Sequence, residues 1–320
     1  MHIPDNYLSP STCAVLFGIM IPVWRRATKK VKEQISSKKM PLVGICASFS
    51  FLIMMFNVPL PGGTTGHAVG ATLVAILLGP HAAVLAITIA LAIQALFFGD
   101  GGILALGANC FNMAFIMPFT GYYIYKFIMN KTNFKQKELI ATFAAGYISL
   151  NISAFFTAFQ FGIQPYMFRD AVGLPLYNPY GLDIALPAIL IPHLLLAGII
   201  EGIVTSSVYS YIKKVSPEII YKGNEFSIKL LYILIGSMAL ITPIGLIATG
   251  TAWGEWGAKE LGEIVGFIPK GFKSGFNFES MMPDYAIAGL GEMFGYILSA
   301  ITGITLIFVL TKLLFKKNLK

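Results

Sequence analysis

The feature that most constrains this chain is a series of apolar runs, each near the roughly 20 residues that a helix needs to cross a bilayer. Hydrophobic residues make up 56% of the 320 residues and charged residues only 12%, against about 25% charged in an ordinary soluble domain. The runs are Thr12–Trp24, Pro41–Leu60, Ala82–Phe98, Leu104–Ile128, Leu139–Ile163, Ile184–Ile212, Ile228–Thr249 and Ile287–Thr311. They predict an all-α polytopic membrane protein.

A ninth segment, His67–Pro80, is shorter and rich in small residues. Small side chains let helix backbones approach closely, so this segment is predicted to be a short helix buried among the others. The expected fold is therefore about seven transmembrane helices followed by a C-terminal pair.

The basic residues indicate an orientation. Placing the amino terminus outside puts 19 of the 23 Lys and Arg residues on the cytoplasmic side, as the positive-inside rule requires. The cytoplasmic regions would be Arg25–Lys39, Lys126–Lys137, Lys213–Lys229 and the Lys-rich carboxyl end from Lys312 to Lys320. The net charge of +8 thus lies in loops between spans, and it does not favour nucleic-acid binding.

A polar stretch, Val215–Glu225, predicts a boundary between two modules, residues 1–215 and 226–320. In the second module an outer loop, residues 251–286, joins the last two spans and carries five carboxylates. A loop of this length is more often functional than filler. It is expected either to attract cations or to be a solvated acidic loop.

The amino terminus, MHIPDNYLSP, offers metal donors in a fixed sequence. It has no basic segment before an apolar core, so no cleavable signal peptide is expected, and Met1 should be retained before the large His2. The Met1 amine, the His2 amide and His2 Nδ1 can then close two adjoining chelate rings. A disordered tail is the alternative.

Three in-plane nitrogens leave one position open, and His67, predicted to lie on the same outer side, is the expected fourth donor. Four nitrogens in a plane suit Ni(II) or Cu(II), whereas zinc prefers a tetrahedron. The glycines that flank His67 would let the backbone bend around a terminus tucked between helices.

Other polar residues lie in or beside the apolar runs. Asn109 and Asn112 share a helix face, and together with Gln94 they could orient the histidines or simply bond to backbone. His193 and Glu201 lie on one side of a single span, where ionisable groups are functional candidates by default. Three roles stay open for this pair: a contact with a partner subunit, a proton or metal path, and a structural polar network, of which the last is favoured.

Four stretches resemble the CbiM/NikM substrate-binding components of energy-coupling-factor (ECF) nickel and cobalt transporters, over roughly residues 1–215. They are MHIPDNYLSP, TTGHAVGATLVAILLGPHAAVL, QALFFGDGGILALGANCFNMAF and IPHLLLAGIIEG. The tail containing MMPDYA is similar to the small NikN/CbiN-type accessory component, here fused to the same chain.

This resemblance implies that Met1, His2 and His67 bind a transported Ni(II) or Co(II) ion, with no other cofactor. It also implies two partners, a CbiQ/NikQ-like transmembrane coupling subunit and a CbiO/NikO-like ATPase. The chain itself has no GxxxxGK[ST] phosphate loop, so ATP hydrolysis is expected in the separate subunit. One departure is Asn6, where the family often has glycine.

The leading hypothesis is therefore the metal-capture subunit of an ATP-driven importer in a prokaryotic cell membrane, with nickel slightly favoured over cobalt. The alternative is a stand-alone, proton-coupled metal transporter that uses Asp100, His193 and Glu201 as a path. An intramembrane metalloprotease would need a motif such as HExxH, which the sequence lacks. No enzymatic activity is expected.

Overall fold

The computed structural model describes residues 1–35, 39–220 and 228–315. Residues 221–225 of the predicted linker, and the last five residues of the Lys-rich carboxyl end, lie outside these ranges. The helices are α1 (Pro10–Gln34), α2 (Met40–Met55), α3 (Ala71–Leu78), α4 (Pro80–Ile93), α5 (Leu106–Asn109), α6 (Met117–Lys131), α7 (Lys137–Met167), α8 (Leu182–Pro192), α9 (Gly198–Val215), α10 (Pro217–Ile220), α11 (Lys229–Ile241), α12 (Ala258–Val265), α13 (Lys270–Lys273) and α14 (Glu292–Phe315).

Several of these helices join end to end. Short π-helical segments, Gln94–Phe98, Cys110–Ile116 and His193–Ala197, extend α4, connect α5 to α6 and connect α8 to α9. Two 3₁₀ segments, Thr242–Ile247 and Pro283–Tyr285, follow α11 and precede α14. Each of the nine predicted apolar segments thus contains a helix, and the prediction of an all-α polytopic fold is confirmed.

Five helical stretches in the described part of the chain are long and apolar enough to cross a membrane. They are Pro80–Phe98, Lys137–Met167, Leu182–Val215, Lys229–Ile247 and Glu292–Leu314. A sixth, Met40–Met55, is equally apolar but shorter. The remaining helices are too short or carry charge.

The chain between α2 and α3 departs from the predicted helices. The run Pro41–Leu60 was expected to be helical throughout, but α2 ends at Met55 and an antiparallel hairpin follows, β1 (Val58–Leu60) paired with β2 (Thr64–Gly66). Pro59 explains the change, because proline disfavours helix in itself and in the residue before it. The next helix begins only at Ala71, so residues 67–70 form a loop.

Helix α7 is the centre of the first module and packs against α6, α8 and α9. Its contact with α9 is close: a side chain at Gly146 would begin 3.0 Å from the main-chain oxygen of Glu201. The second module packs on the first through α14 against α2 and α4. Gly303 of α14 lies directly against the ring of Phe51, so the C-terminal helix is part of the same packed body.

Candidate metal site

The amino terminus is a buried, hydrogen-bonded segment. Ile3 is fully buried, and both of its main-chain polar groups bond to the Asn109 side chain: Ile3 N donates to Oδ1 at 2.8 Å and Nδ2 donates to Ile3 O at 3.0 Å. The N–H of Gly102 also donates to Ile3 O at 2.8 Å. Asn109 therefore fixes the backbone immediately after His2, a role it performs without touching the ring.

Asp5 anchors the same segment to the loop that leads into α5. Its carboxylate accepts three main-chain N–H bonds, from Ile103 at 3.0 Å, Leu104 at 2.8 Å and Ala105 at 3.2 Å. Burial raises the pKa of Asp5, and these three bonds oppose the rise. The N–H groups before a helix lack intrahelical partners, so the carboxylate satisfies the helix start and holds the terminus in place.

Asn6 adopts a left-handed backbone with φ of 72°. Asparagine is among the few residues other than glycine that enter this region readily. Its side chain also bonds the main chain of Phe276 through Nδ2 at 2.8 Å and Oδ1 at 3.0 Å. Asn6 therefore forms the turn and also contacts the loop of the second module.

His2 lies in the wall of a polar cavity beside His67. Its side chain is 2% exposed, and Nδ1 lies 2.9 Å from Oδ1 of Asp100. Nε2 is buried with no hydrogen-bond partner in the described part of the chain. The ring centroids of His2 and His67 are 5.1 Å apart, so the two imidazoles are near enough to bind one ion.

Asp100 is the centre of a hydrogen-bond network behind His2. Its Oδ2 accepts from the Tyr285 hydroxyl at 2.6 Å and from Gln94 Nε2 at 3.0 Å, and Gln94 also donates to Tyr285 at 3.0 Å. Burial alone would raise the pKa of Asp100, but His2, His67 and Tyr285 together lower it below its ordinary value. The carboxylate is therefore ionised and favours a cation beside it.

The terminal amine has its own carboxylate. The Met1 amine lies 3.6 Å from Oε1 of Glu255, a residue of the second module's loop. Burial raises the pKa of Glu255, while the amine and His2 act in the opposite direction. The amine and the His2 ring, both predicted donors, thus each face one acidic side chain.

His67 presents one nitrogen to the site. Its Nδ1 lies 3.0 Å from the carbonyl oxygen of Ala68, and because a carbonyl only accepts, Nδ1 carries the proton. The lone pair then resides on Nε2, the arrangement that a hydrogen bond at the other ring nitrogen commonly imposes on metal-binding histidines. His67 is 9% exposed and lies in the loop between β2 and α3.

These groups line one cavity of about 460 Å³. Its wall includes Met1, His2, His67, Asp100, Glu255 and Tyr285. Within the described ranges, no group of three or more His, Cys, Asp or Glu side chains could by itself hold a metal ion.

Three of the predicted polar residues lie elsewhere. Asn112 exchanges two hydrogen bonds with Gln160, at 2.9 and 2.8 Å. These bonds join the π-helical segment Cys110–Ile116 to α7. Glu201 bonds the main chain of residues 69 and 70. His193 Nδ1 bonds the carbonyl of Ile189 at 2.7 Å. His193 and Glu201 thus bond different partners, and His193 lines a second, much smaller cavity of about 20 Å³ that also touches Met1 and His2.

The loop of the second module closes the site from above the terminus. The N–H of Trp253 donates to Thr64 Oγ1 at 2.8 Å, the Tyr7 hydroxyl donates to the carbonyl of Trp256 at 2.9 Å, and the N–H of Met282 donates to the carbonyl of Phe97 at 2.9 Å. Of the loop's carboxylates, Glu255 lines the cavity, whereas Glu260, Glu263 and Glu279 are exposed, so both alternatives for this loop stay predictions. Sequence reasoning missed Tyr285 and Asp5, although both lie in stretches that it singled out.

Replacing Asp5 by alanine is expected to detach the terminus. Three N–H groups would lose their acceptor, two of them in partly buried bonds, and leaving a buried donor unpaired costs about 1–3 kcal/mol. We expect a lower midpoint of thermal unfolding in detergent and weaker metal binding. Asp5→Asn, which keeps one oxygen, should lose less, and Asp183→Ala at an exposed position should lose little. Equal losses for Asp5→Ala and Asp183→Ala would contradict this role.

Comparison with protein families gives two matches in chain order. The family model for the cobalt uptake substrate-specific transmembrane region, CbiM, matches residues 2–219. A PDGLE domain matches residues 228–317. Residues 220–227 lie between the two matches.

Similar proteins cover nearly the whole chain. A probable fused nickel transport protein LarMN from Lactiplantibacillus plantarum is 48% identical over 97% of this chain and 96% of its own. The fused nickel transport protein NikMN from Rhodobacter capsulatus is 42% identical over 96% of this chain and 95% of its own. A crystal structure of a truncated transition metal transporter aligns with a TM-score of 0.63 and 52% identity, over 67% of this chain and 99% of that one.

Proposed function

We propose, from the premise that the chain belongs to the CbiM family, that it is the metal-capture membrane component of an importer of Ni(II) or Co(II), with nickel favoured. In this proposal residues 1–215 bind the metal and residues 226–320 form the fused accessory module. The protein is then a transporter subunit in a cell membrane. Its substrate is a bare divalent ion.

The observation that carries the proposal is the convergence of the Met1 amine, His2 and His67 on one polar cavity. Amine, His2 amide and His2 Nδ1 can chelate one ion, and Nε2 of His67 supplies the fourth nitrogen. Chelation through Nδ1 requires the His2 ring to exchange its bond to Asp100 for the metal. Asp100 and Glu255 lie beside the two donors and stay close enough to offset the charge of a divalent ion.

Nickel is favoured over other ions by the donor set. Four nitrogens, one of them a deprotonated amide, suit the square-planar geometry that Ni(II) commonly adopts. Hard ions such as Mg(II) and Ca(II) prefer oxygen donors. The names of the similar fused proteins, which refer to nickel transport, support the same choice.

We further propose that capture is coupled to ATP hydrolysis by an ECF-type partner set, a CbiQ/NikQ-like coupling subunit and a CbiO/NikO-like ATPase. The amino terminus then faces the outside and the carboxyl end the cytoplasm. The distribution of Lys and Arg supports this orientation. The closed loop of the second module over the site supports a role for that module in metal loading or retention.

Uptake by the complete assembly tests the proposal. Vesicles that contain this chain with both partner subunits should accumulate nickel only when ATP is present on the ATPase side. Collapsing the proton gradient with an ionophore should leave the initial rate within about twofold, since no proton is transported in this scheme. A matched control carries an ATPase unable to hydrolyse ATP.

Two outcomes would contradict the proposal. Nickel uptake by vesicles that contain this chain alone, abolished by the ionophore, would favour the proton-coupled alternative. A purified protein with no affinity for nickel or cobalt would contradict both the ATP-driven importer and the proton-coupled transporter.

A further inference from the structure

A carboxylate buried among the helices holds the loop that carries His67. Glu201 is fully buried on α9, and its Oε2 accepts the N–H of Val69 at 2.7 Å and that of Gly70 at 3.1 Å. Its Oε1 lies 3.1 Å from the same Gly70 N–H and accepts the Thr205 hydroxyl at 3.4 Å. A buried charge is tolerated only with such partners.

The two N–H groups that Glu201 satisfies stand at the start of α3. The first N–H groups of a helix have no partner within it, and the positive end of the helix dipole favours an anion there. Gly70 caps α3 in a left-handed conformation with φ of 73°. The position of α3 and of the residues immediately before it therefore depends on the Glu201 carboxylate.

His67 lies at the other end of this short loop. It is separated from Val69 by one residue, Ala68, and its own Nδ1 bonds to the Ala68 carbonyl. The hairpin strand β2 ends at Gly66, so the loop is fixed by the hairpin on one side and by Glu201 on the other. A shift at Val69 would pass directly to the imidazole.

Glu201 is itself held in place by close packing of α9 on α7. A side chain at Gly202 would begin 2.8 Å from the Phe143 ring, and one at Gly146 would begin 2.9 Å from Thr205 Oγ1. Such contacts leave the backbone around Glu201 little freedom. The carboxylate is a rigid reference point for the loop.

We propose that Glu201 is a positioning residue for metal capture, which holds Nε2 of His67 at the distance the chelated ion requires. The inference rests on the proposed function. This role differs from that of a proton or metal path, which the sequence also allowed for Glu201. The carboxylate acts on the main chain of the His67 loop and does not touch the metal.

A double-mutant cycle tests this role. Nickel affinity is measured by titration for the wild type, Glu201→Gln, His67→Ala and the double variant, all as full-length protein in detergent. The amide of glutamine places a donor against the Gly70 N–H, so we expect Glu201→Gln to weaken nickel binding by about 10–100-fold, the usual loss for residues that orient a ligand. In the His67→Ala background the same change should have no further effect, because the ligand it orients is absent.

Two further variants separate positioning from general damage to the fold. Thr205→Val removes a long hydrogen bond but leaves both main-chain bonds to Glu201, and it should bind nickel as the wild type does. Glu201→Asp keeps the charge on a shorter side chain and should fall between wild type and Glu201→Gln. Hydrogen exchange at residues 69–70 should quicken in Glu201→Gln with the rest of the protein unchanged.

The outcomes are distinct. A loss of equal size with and without His67, or no loss in a Glu201→Gln protein that elutes as wild type, overturns the positioning role. A wild-type protein that binds no nickel overturns the proposed function. That result does not depend on the outcome of the double-mutant cycle.

Discussion

Insertion of one alanine between Met1 and His2 is expected to make nickel binding independent of His67. The insertion keeps the amine and both imidazoles but moves the histidine to the third position, so a second backbone amide separates the amine from the ring. The terminus would then be one residue too long for the anchor at Ile3, whose main chain is bonded to Asn109. The amine, two amides and the imidazole of the lengthened terminus can fill all four in-plane positions without His67, so we expect His67→Ala to weaken nickel binding by less than about twofold in the insertion variant.

Isothermal titration with nickel measures this effect, and metal analysis of the purified protein gives the stoichiometry. His2→Ala should lose tight binding, because it removes the imidazole donor of the terminus. His81→Ala is the matched control, because His81 packs against Phe119 at the start of α4 and lines neither cavity. A loss on His67→Ala that is as large with the insertion as without it would show that the terminus is not a ligand.

Replacement of His67 by alanine is the second large effect. The variant keeps the three nitrogens of Met1 and His2 but loses the fourth in-plane donor, and water or a carboxylate would take its place. We expect affinity to fall by at least about 100-fold and the absorption bands of a planar nickel site to disappear. Residual binding by the terminal chelate should remain measurable.

His193→Ala provides the comparison for His67→Ala. His193 lines the smaller cavity that also touches Met1 and His2, but its Nδ1 is engaged by the Ile189 carbonyl. Its removal should change nickel affinity by less than about threefold, because the variant loses side-chain packing but no metal ligand. A loss at His193 as large as that at His67 would mean that the metal lies in the smaller cavity.

The helical fold was predictable because apolar runs of membrane length leave few alternatives. The exact ends of the helices were less predictable from the sequence. The sequence predicted helix up to Leu60, whereas Pro59 favours the hairpin that begins at Val58. That local proline effect was visible in the sequence and was outweighed there by the apolar composition of the run.

The candidate donors could also be named from the sequence, since a histidine in second place has a fixed relation to the amine. The groups around them could not. Asp100 and Tyr285 meet across 185 positions of the chain, and Glu255 reaches the Met1 amine from the second module. Such contacts depend on how the two modules pack, and no local pattern encodes that.

The intramembrane pair illustrates the same limit. His193 and Glu201 share one side of a helix, and spacing alone suggested a common network. The structure gives them different partners, because a buried carboxylate needs main-chain donors and the start of α3 supplies them. What spacing predicts is proximity along one helix, whereas the partner comes from the neighbouring helix.

X-ray absorption spectroscopy of the nickel-loaded protein reports the donor atoms and the geometry of the ion itself. It therefore tests directly whether Met1, His2 and His67 bind the ion. We expect a square-planar site of four nitrogen donors, two of them imidazoles, and loss of one imidazole contribution in His67→Ala. A six-coordinate site dominated by oxygen donors would contradict the terminal chelate and would place the ion on Asp100 and Glu255 instead.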